Sequence, residues 1–131
     1  MLTCTTSAAG GDGVALQFNA DTATNYSHTR LVGTGSSASS ANATSATSIR
    51  FANQGGTSTT VTTMYTIDVQ SYAGSTNKAM LATASTDTNG AGTVELTIGL
   101  WRSTAAITSI VLLTIGGDNF ATGTIATLFG I

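Results

Sequence analysis

Residues 106–115, Ala-Ile-Thr-Ser-Ile-Val-Leu-Leu-Thr-Ile, form the longest apolar run of the chain and constrain its fold more than any other stretch. The run is too short to cross a membrane, and Gly116-Gly117-Asp118-Asn119 behind it is turn chemistry rather than a helix cap. It predicts a central β-strand, with Ile107, Val111, Leu113 and Ile115 on one pleat face and Ile110 and Leu112 on the other. Apolar residues on both faces imply burial on two sides, as in a sandwich or at a subunit contact.

The rest of the composition points the same way. Thr, Ser, Ala, Gly and Asn dominate and proline is absent, a bias that suits strands joined by small-residue turns better than a helical bundle. At 131 residues, the chain predicts one domain, 1–131, burying roughly two thirds of its unfolded surface. Only 8% of residues are charged, for a net charge of −2. Lys78, Arg30, Arg50 and Arg102 are scattered, so no basic patch is available to displace phosphate counterions, and a nucleic-acid partner is not expected. So weakly charged a surface does little to keep neighbouring copies apart, which predicts self-association. Cys4 is the single cysteine; it excludes an intrachain disulfide framework and a thiolate-rich metal site. The start, Met-Leu-Thr-Cys-Thr-Thr-Ser, lacks a basic region and an apolar core, so a secretory signal is not expected.

Along the chain, Val14, Leu16 and Phe18 alternate with smaller or polar residues and predict a half-buried strand after the turn at 10–13. Residues 19–25 read as a loop capped by its own Asn and Asp side chains. Residues 26–33 read as extended, with the phase Tyr26/His28/Arg30/Val32 or Ser27/Thr29/Leu31 left open. Residues 34–48 hold no large apolar side chain and predict a long Ser/Ala/Thr-rich loop. Ile49-Arg50-Phe51 returns to the core, and Asn53 to Gly56 close that return. Val61, Thr63, Tyr65, Ile67 and Val69 give the cleanest period-two pattern, and 78–85 is a strand with small faces. The Asn89-Gly90 pair predicts a hairpin turn leading to a strand on which Val94, Leu96, Ile98 and Leu100 alternate with Thr93, Glu95, Thr97 and Gly99. Residues 122–131 read as a last strand whose end is tied into a sheet. The fold class is all-β: an antiparallel β-sandwich, jelly-roll-like, of about seven or eight strands.

Chemistry is sparse. His28, the sole histidine, has no nucleophile-elbow sequence around it and reads as an exposed strand residue. One His and one Cys cannot supply a zinc site. Asp12, Asp21, Asp68, Asp87, Glu95 and Asp118 show no spacing that pairs two carboxylates for glycoside hydrolysis. Asn19, Asp21 and Asn25 could offer oxygens to calcium, but self-capping of the loop explains them. Tyr26, Tyr65, Tyr72 and Trp101 are the sugar-stacking candidates, with core or interface the commoner role. Gly10 to Gly13 precedes no helix and reads as a turn, not a phosphate cradle. Asn25-Tyr26-Ser27 and Asn42-Ala43-Thr44 match a glycosylation pattern that so Asn-, Ser- and Thr-rich a chain produces by chance. No catalytic residue, metal site or cofactor is assigned.

Three passages carry a likeness: 14–26, the turn 72–78, and the tail from 106–110 through 119–124 to 128–131. In order and spacing they resemble tailed-bacteriophage structural modules, found as small virion proteins and at the ends of tail fibres. The resemblance implies a non-enzymatic β-sandwich used for assembly or attachment. Such modules usually have further strand-forming sequence before the segment matching Val14, where this chain has only residues 1–9. Either those residues form an arm or edge strand, or a neighbouring chain covers the edge beside 14–19. The expected function is a phage capsid decoration or cement protein. It would be made in the host cytoplasm and carried on the virion surface, as a homotrimer contacting the major capsid protein and no membrane. The alternative is a tail-fibre module that binds a receptor or host-surface glycan through Tyr26, Tyr72 and Trp101.

Overall fold

The computed structural model describes residues 2–4, 12–53, 58 and 60–130, with ten strands and no helix among them. In chain order these are β1 (Leu2–Cys4), β2 (Val14–Phe18), β3 (Tyr26–Gly33), β4 (Ala38–Ala46) and β5 (Ile49–Ala52), followed by β6 (Thr63–Val69), β7 (Lys78–Thr86), β8 (Thr93–Trp101), β9 (Ile110–Thr114) and β10 (Ile125–Ala126). Every pairing is antiparallel. A seven-stranded sheet in the order β10-β1-β6-β7-β8-β3-β4 faces a three-stranded sheet in the order β5-β2-β9. The all-β sandwich read from the sequence is therefore the fold, with ten strands in place of seven or eight.

The core lies between the two sheets. Val14, Leu16 and Phe18 of β2 and Ile49 and Phe51 of β5 meet Tyr26, Tyr65, Met80, Ala82, Ala84 and Trp101 of the large sheet. The aromatic rings fix its geometry. Phe51 meets Tyr65 edge-on at 5.5 Å, and Trp101 lies 5.6 Å from Phe18 and 6.3 Å from Tyr26, arrangements favoured by the ring quadrupoles. Between β7 and β8 the Asn89-Gly90 pair adopts φ of 65° and 91°, the double left-handed conformation that a type I′ turn demands. Gly90 N–H donates to Asp87 Oδ1 at 2.8 Å, which fixes the loop.

Several expectations from the sequence are corrected. Residues 106–115 do not form a central strand. Only Ile110–Thr114 is strand, at the edge of the small sheet, and Ile110 is 39% exposed. The centre belongs to β2, where Val14, Ala15, Leu16 and Phe18 are all buried. Its two edges pair with β5 and β9, so no neighbouring chain is needed beside Val14, and β1 pairs instead with β6 and β10. Residues 34–48 are not one long loop. Most of them form β4, hydrogen-bonded along β3; an edge strand exposed on both sides is ordered by main-chain bonds and needs no apolar side chain. The last strand shrinks to Ile125–Ala126, and 127–130 run on without regular structure. Leu128 there is 84% exposed and Phe129 71%. Gly10, Gly11, Gln54 to Gly56, residues 5–9 of the proposed arm and Ile131 lie outside the described residues.

Candidate functional site

Of the residues singled out for chemistry, Asn19, Asp21, Asn25, Tyr26 and Trp101 become fastenings of one end of the sandwich. At the loop after β2, Asn19 and Ala20 take left-handed φ values of 53° and 52°, a conformation to which Asn is suited. The Asn19 side chain ties the loop to the segment before β9. Its Oδ1 accepts from Thr108 N–H at 2.8 Å and Ser109 N–H at 3.2 Å, and its Nδ2 donates to Ala106 O at 2.9 Å. Asp21 closes the same loop. Its carboxylate accepts from Ala23 N–H at 2.9 Å, Asn25 Nδ2 at 2.9 Å and Trp101 Nε1 at 2.8 Å. The Asn25 and Trp101 bonds, with the Ala23 amide behind them, hold this carboxyl below the usual carboxylate range because they favour the charged form. Asn19, Asp21 and Asn25 thus spend their oxygens on the loop itself, as the self-capping reading had it.

Three of the four sugar-stacking candidates are core residues. Tyr26 is fully buried, and its hydroxyl accepts from Phe18 N–H at 3.0 Å and lies 3.2 Å from the Phe18 and Asp21 carbonyls. Burial pushes that phenol up. Trp101 is 2% exposed and Tyr65 is buried, leaving Tyr72, 55% exposed, as the one surface ring of the four. Lys78 is buried beside them. Its Nζ donates to the carbonyls of Gly74 at 2.7 Å and Thr76 at 2.5 Å, so the lone lysine of the chain stitches the 71–77 turn to β7. Arg102 extends the same corner by donating to Thr24 O at 2.5 Å.

His28 is corrected from an exposed residue to a buried one. The phase of β3 that faces inward is Tyr26/His28/Arg30/Val32, and His28 is 6% exposed. Its Nδ1 is buried and unpartnered among the described residues. Burial first, then the positive charges of Arg30 and Arg50, push its pKa below the ordinary histidine value. The acids do not converge. Glu95 is buried on the inner face of β8 and accepts from Asn53 N–H at 3.0 and 3.1 Å. Asp12 accepts from Gly116 N–H, and Asp87 serves the hairpin turn. Among the described residues no group of three or more His, Cys, Asp or Glu is placed to hold a metal, and no helix is long and apolar enough to cross a membrane.

The feature that sequence reading missed is the outer face of the large sheet. On β8 the aliphatic set points away from the core: Val94 is 63% exposed, Leu96 42% and Ile98 56%. Leu31 of β3 sits directly across from Leu96, and Leu81 of β7 across from Ile98; both are about half exposed. Met64 of β6 adds a further exposed side chain at one end. Outward positions between these are Thr29, Thr66, Thr83 and Ser85, with Asp68 the one charge, beside Leu81. Two shallow depressions flank the stripe. One, of about 280 Å³, is lined by Thr29, Asn42, Ala79, Ile98 and Leu100, and the other, of about 510 Å³, by Gly33, Met64, Ser85 and Val94 among others. The face is broad, nearly uncharged and free of reactive groups. Contiguous exposed apolar patches of this kind mark interaction surfaces.

No protein family, no curated protein and no solved structure matches the chain.

Proposed function

We propose that this chain is a non-enzymatic structural protein of a tailed-phage particle, a capsid decoration or cement protein that works as a homo-oligomer, most simply a trimer. The observation that carries the reading is the outer sheet face, where Leu31, Leu81, Val94, Leu96 and Ile98 from three adjacent strands lie open to water. A free monomer gains nothing from aliphatic residues at those positions, since each leaves apolar surface in water. A protein that clamps shell subunits needs such a broad complementary surface and no catalytic group. The sandwich class and the fastened loop corner support the same role, because a rigid block transmits load between the surfaces it joins. The receptor-binding alternative keeps only Tyr72 of its three aromatic contacts at the surface, so it stands second.

Electron cryomicroscopy of particles carrying this protein tests the reading through copy number and position. Many copies at threefold or quasi-threefold positions of the shell are expected. A few copies at the tail tip would replace the proposal with the attachment role. Purified protein that stays monomeric and ignores emptied capsids would remove the decoration role altogether.

A further inference from the structure

The loop that joins β7 to β8 carries a dipeptide able to modify itself. Of the chain's asparagines, Asn89 is the one followed by glycine. A backbone nitrogen can attack the side-chain carbonyl carbon of the asparagine before it, and glycine, with no Cβ, leaves that nitrogen unshielded. Residues 87–91 are all exposed, so the water that the reaction consumes is at hand. The same loop also restrains the attacking group. Gly90 N–H donates to Asp87 Oδ1 at 2.8 Å, Thr88 Oγ1 donates to Ala91 O at 2.8 Å across the turn, and Asn89 and Gly90 are fixed at φ of 65° and 91°. To attack, the nitrogen must give up its proton, and that proton is the one bonded to Asp87. A carboxylate is too weak a base to take it. It instead stabilises the intact N–H and repels the anionic nitrogen that its loss would create.

We propose that Asn89-Gly90 is a self-modification site and that Asp87 is the latch that keeps it slow in the folded protein. In the reaction Gly90 N loses its proton and forms a bond to Asn89 Cγ, the Cγ–Nδ2 bond breaks, and Nδ2 leaves as ammonia with that proton. Water then opens the five-membered ring. Opening at Cγ leaves an aspartate at 89, whereas opening at the backbone carbonyl carbon routes the main chain through the side chain as isoaspartate. One water enters, one ammonia leaves, and nothing is oxidised or reduced. Either product sets a second carboxylate two residues from Asp87. Isoaspartate also inserts a methylene into the main chain of a turn whose two left-handed residues close the β7–β8 pairing beyond Thr86 and Thr93. Those strands are neighbours in the middle of the seven-stranded sheet, so the latch guards the joint between two of its central members. The inference is independent of the assembly proposed above.

The test follows full-length protein at neutral pH over weeks by peptide mapping and mass spectrometry, with isoaspartate counted by enzymatic methylation. Wild type is compared folded and unfolded in guanidinium chloride, alongside folded Asp87→Asn and Asp87→Ala. The asparagine variant keeps an acceptor for Gly90 N–H without the charge, and the alanine variant removes both. Conversion should map to Asn89 ahead of every other asparagine and should run more slowly in folded than in unfolded wild type. Asp87→Ala should convert about tenfold faster than folded wild type, the factor that a hydrogen bond to a charged acceptor is worth, with Asp87→Asn between them. An Asp87→Ala protein that converts no faster than wild type overturns the latch. Wild type that converts faster folded than unfolded makes Asp87 a promoter and overturns it equally, and conversion that begins at another asparagine overturns the site. Should Asp87→Ala fail to fold by circular dichroism, Asp87→Asn and the folded-to-unfolded ratio of wild type decide by the same criteria.

Discussion

On the inward face of β8, Glu95, Thr97, Gly99 and Trp101 are buried, while on its outward face Val94, Leu96 and Ile98 are 63%, 42% and 56% exposed. The polar and small residues are inside and the aliphatic ones outside. The inner face works because each residue meets a specific need of the sheet opposite. Glu95 accepts from Asn53 N–H, Thr97 lies against Phe51 O at 3.5 Å, and Gly99 makes room for Ile49 and Met80. Trp101 then fills the end of the core with a large ring. Alternation along a strand thus reveals the pleat but not which side is the interior. That choice belongs to the partner sheet.

The largest break in the inner face comes from Trp101. Removing its ring in Trp101→Ala deletes contacts to Phe18 and Tyr26 and leaves Asp21 without one of its donors. Truncation of a buried aromatic costs about 3–5 kcal/mol, to be read as a fall in the denaturation midpoint. A destabilisation below about 1 kcal/mol, the scale of a surface change, would mean the inner face is not the core it is described as. Gly99→Ala tests the same face by addition. A Cβ at Gly99 would lie 2.6 Å from Ile49 Cγ2 and 2.8 Å from its Cδ1, and Ile49 is itself fully buried. Overpacking of this kind costs about 1–3 kcal/mol, whereas an alanine at an outward strand position should cost almost nothing.

A smaller effect is expected from titration on the inner side of β3. His28 has its folded pKa pushed below 6.5 by burial and by Arg30 and Arg50, so the unfolded chain binds the proton more readily than the folded one. Stability from this site is complete above 6.5 and falls as the pH drops from there towards the folded pKa. His28→Gln should flatten that limb of the stability curve. Asp21 has the opposite type of group and the same sign of slope. Its folded pKa lies below 3.8, so its contribution holds above that value and is lost as the pH falls through the folded pKa, a loss that Asp21→Asn should remove. Urea midpoints measured across this range check both, and parallel curves for wild type and His28→Gln would place His28 outside the buried face.

Much of the sandwich was legible in the chain because local pattern and tertiary demand agree there. Val14, Leu16 and Phe18 alternate and are buried, and Asn89-Gly90 turns where such a pair should. The misreadings share a cause, the assumption that apolar residues mark the interior. The 106–115 run is richer in aliphatics than β2, yet β2 takes the centre of the small sheet and β9 its edge. β4 has no large apolar side chain and is ordered by pairing with β3, a non-local interaction that leaves no local signature. His28 could have been placed inside by noting that it shares a phase with Tyr26 and Val32, two residues a strand seldom turns outward together. The outer aliphatic face was invisible because its residues match those of an ordinary core face, and only the opposite sheet reveals that they are on the wrong side for one.

The smallest stability effect and the sharpest functional one should coincide at Ile98. Ile98→Thr keeps a β-branched residue with good strand propensity and replaces an aliphatic group that is 56% exposed by a hydroxyl that water can solvate. Stability should move by no more than about 0.5 kcal/mol, as for other surface substitutions. Association should weaken nonetheless, because the lost apolar surface lies in the middle of the stripe, between Leu96 and Leu100 and directly across from Leu81. Thermal denaturation and sedimentation on the same preparation separate the two. If Ile98→Thr lowers the midpoint as Gly99→Ala does, the outward face is carrying the monomer, and the contrast between the two sides of β8 fails. If the midpoint holds while the oligomer dissociates, a single strand is dividing its labour, with one face holding the chain together and the other holding copies together.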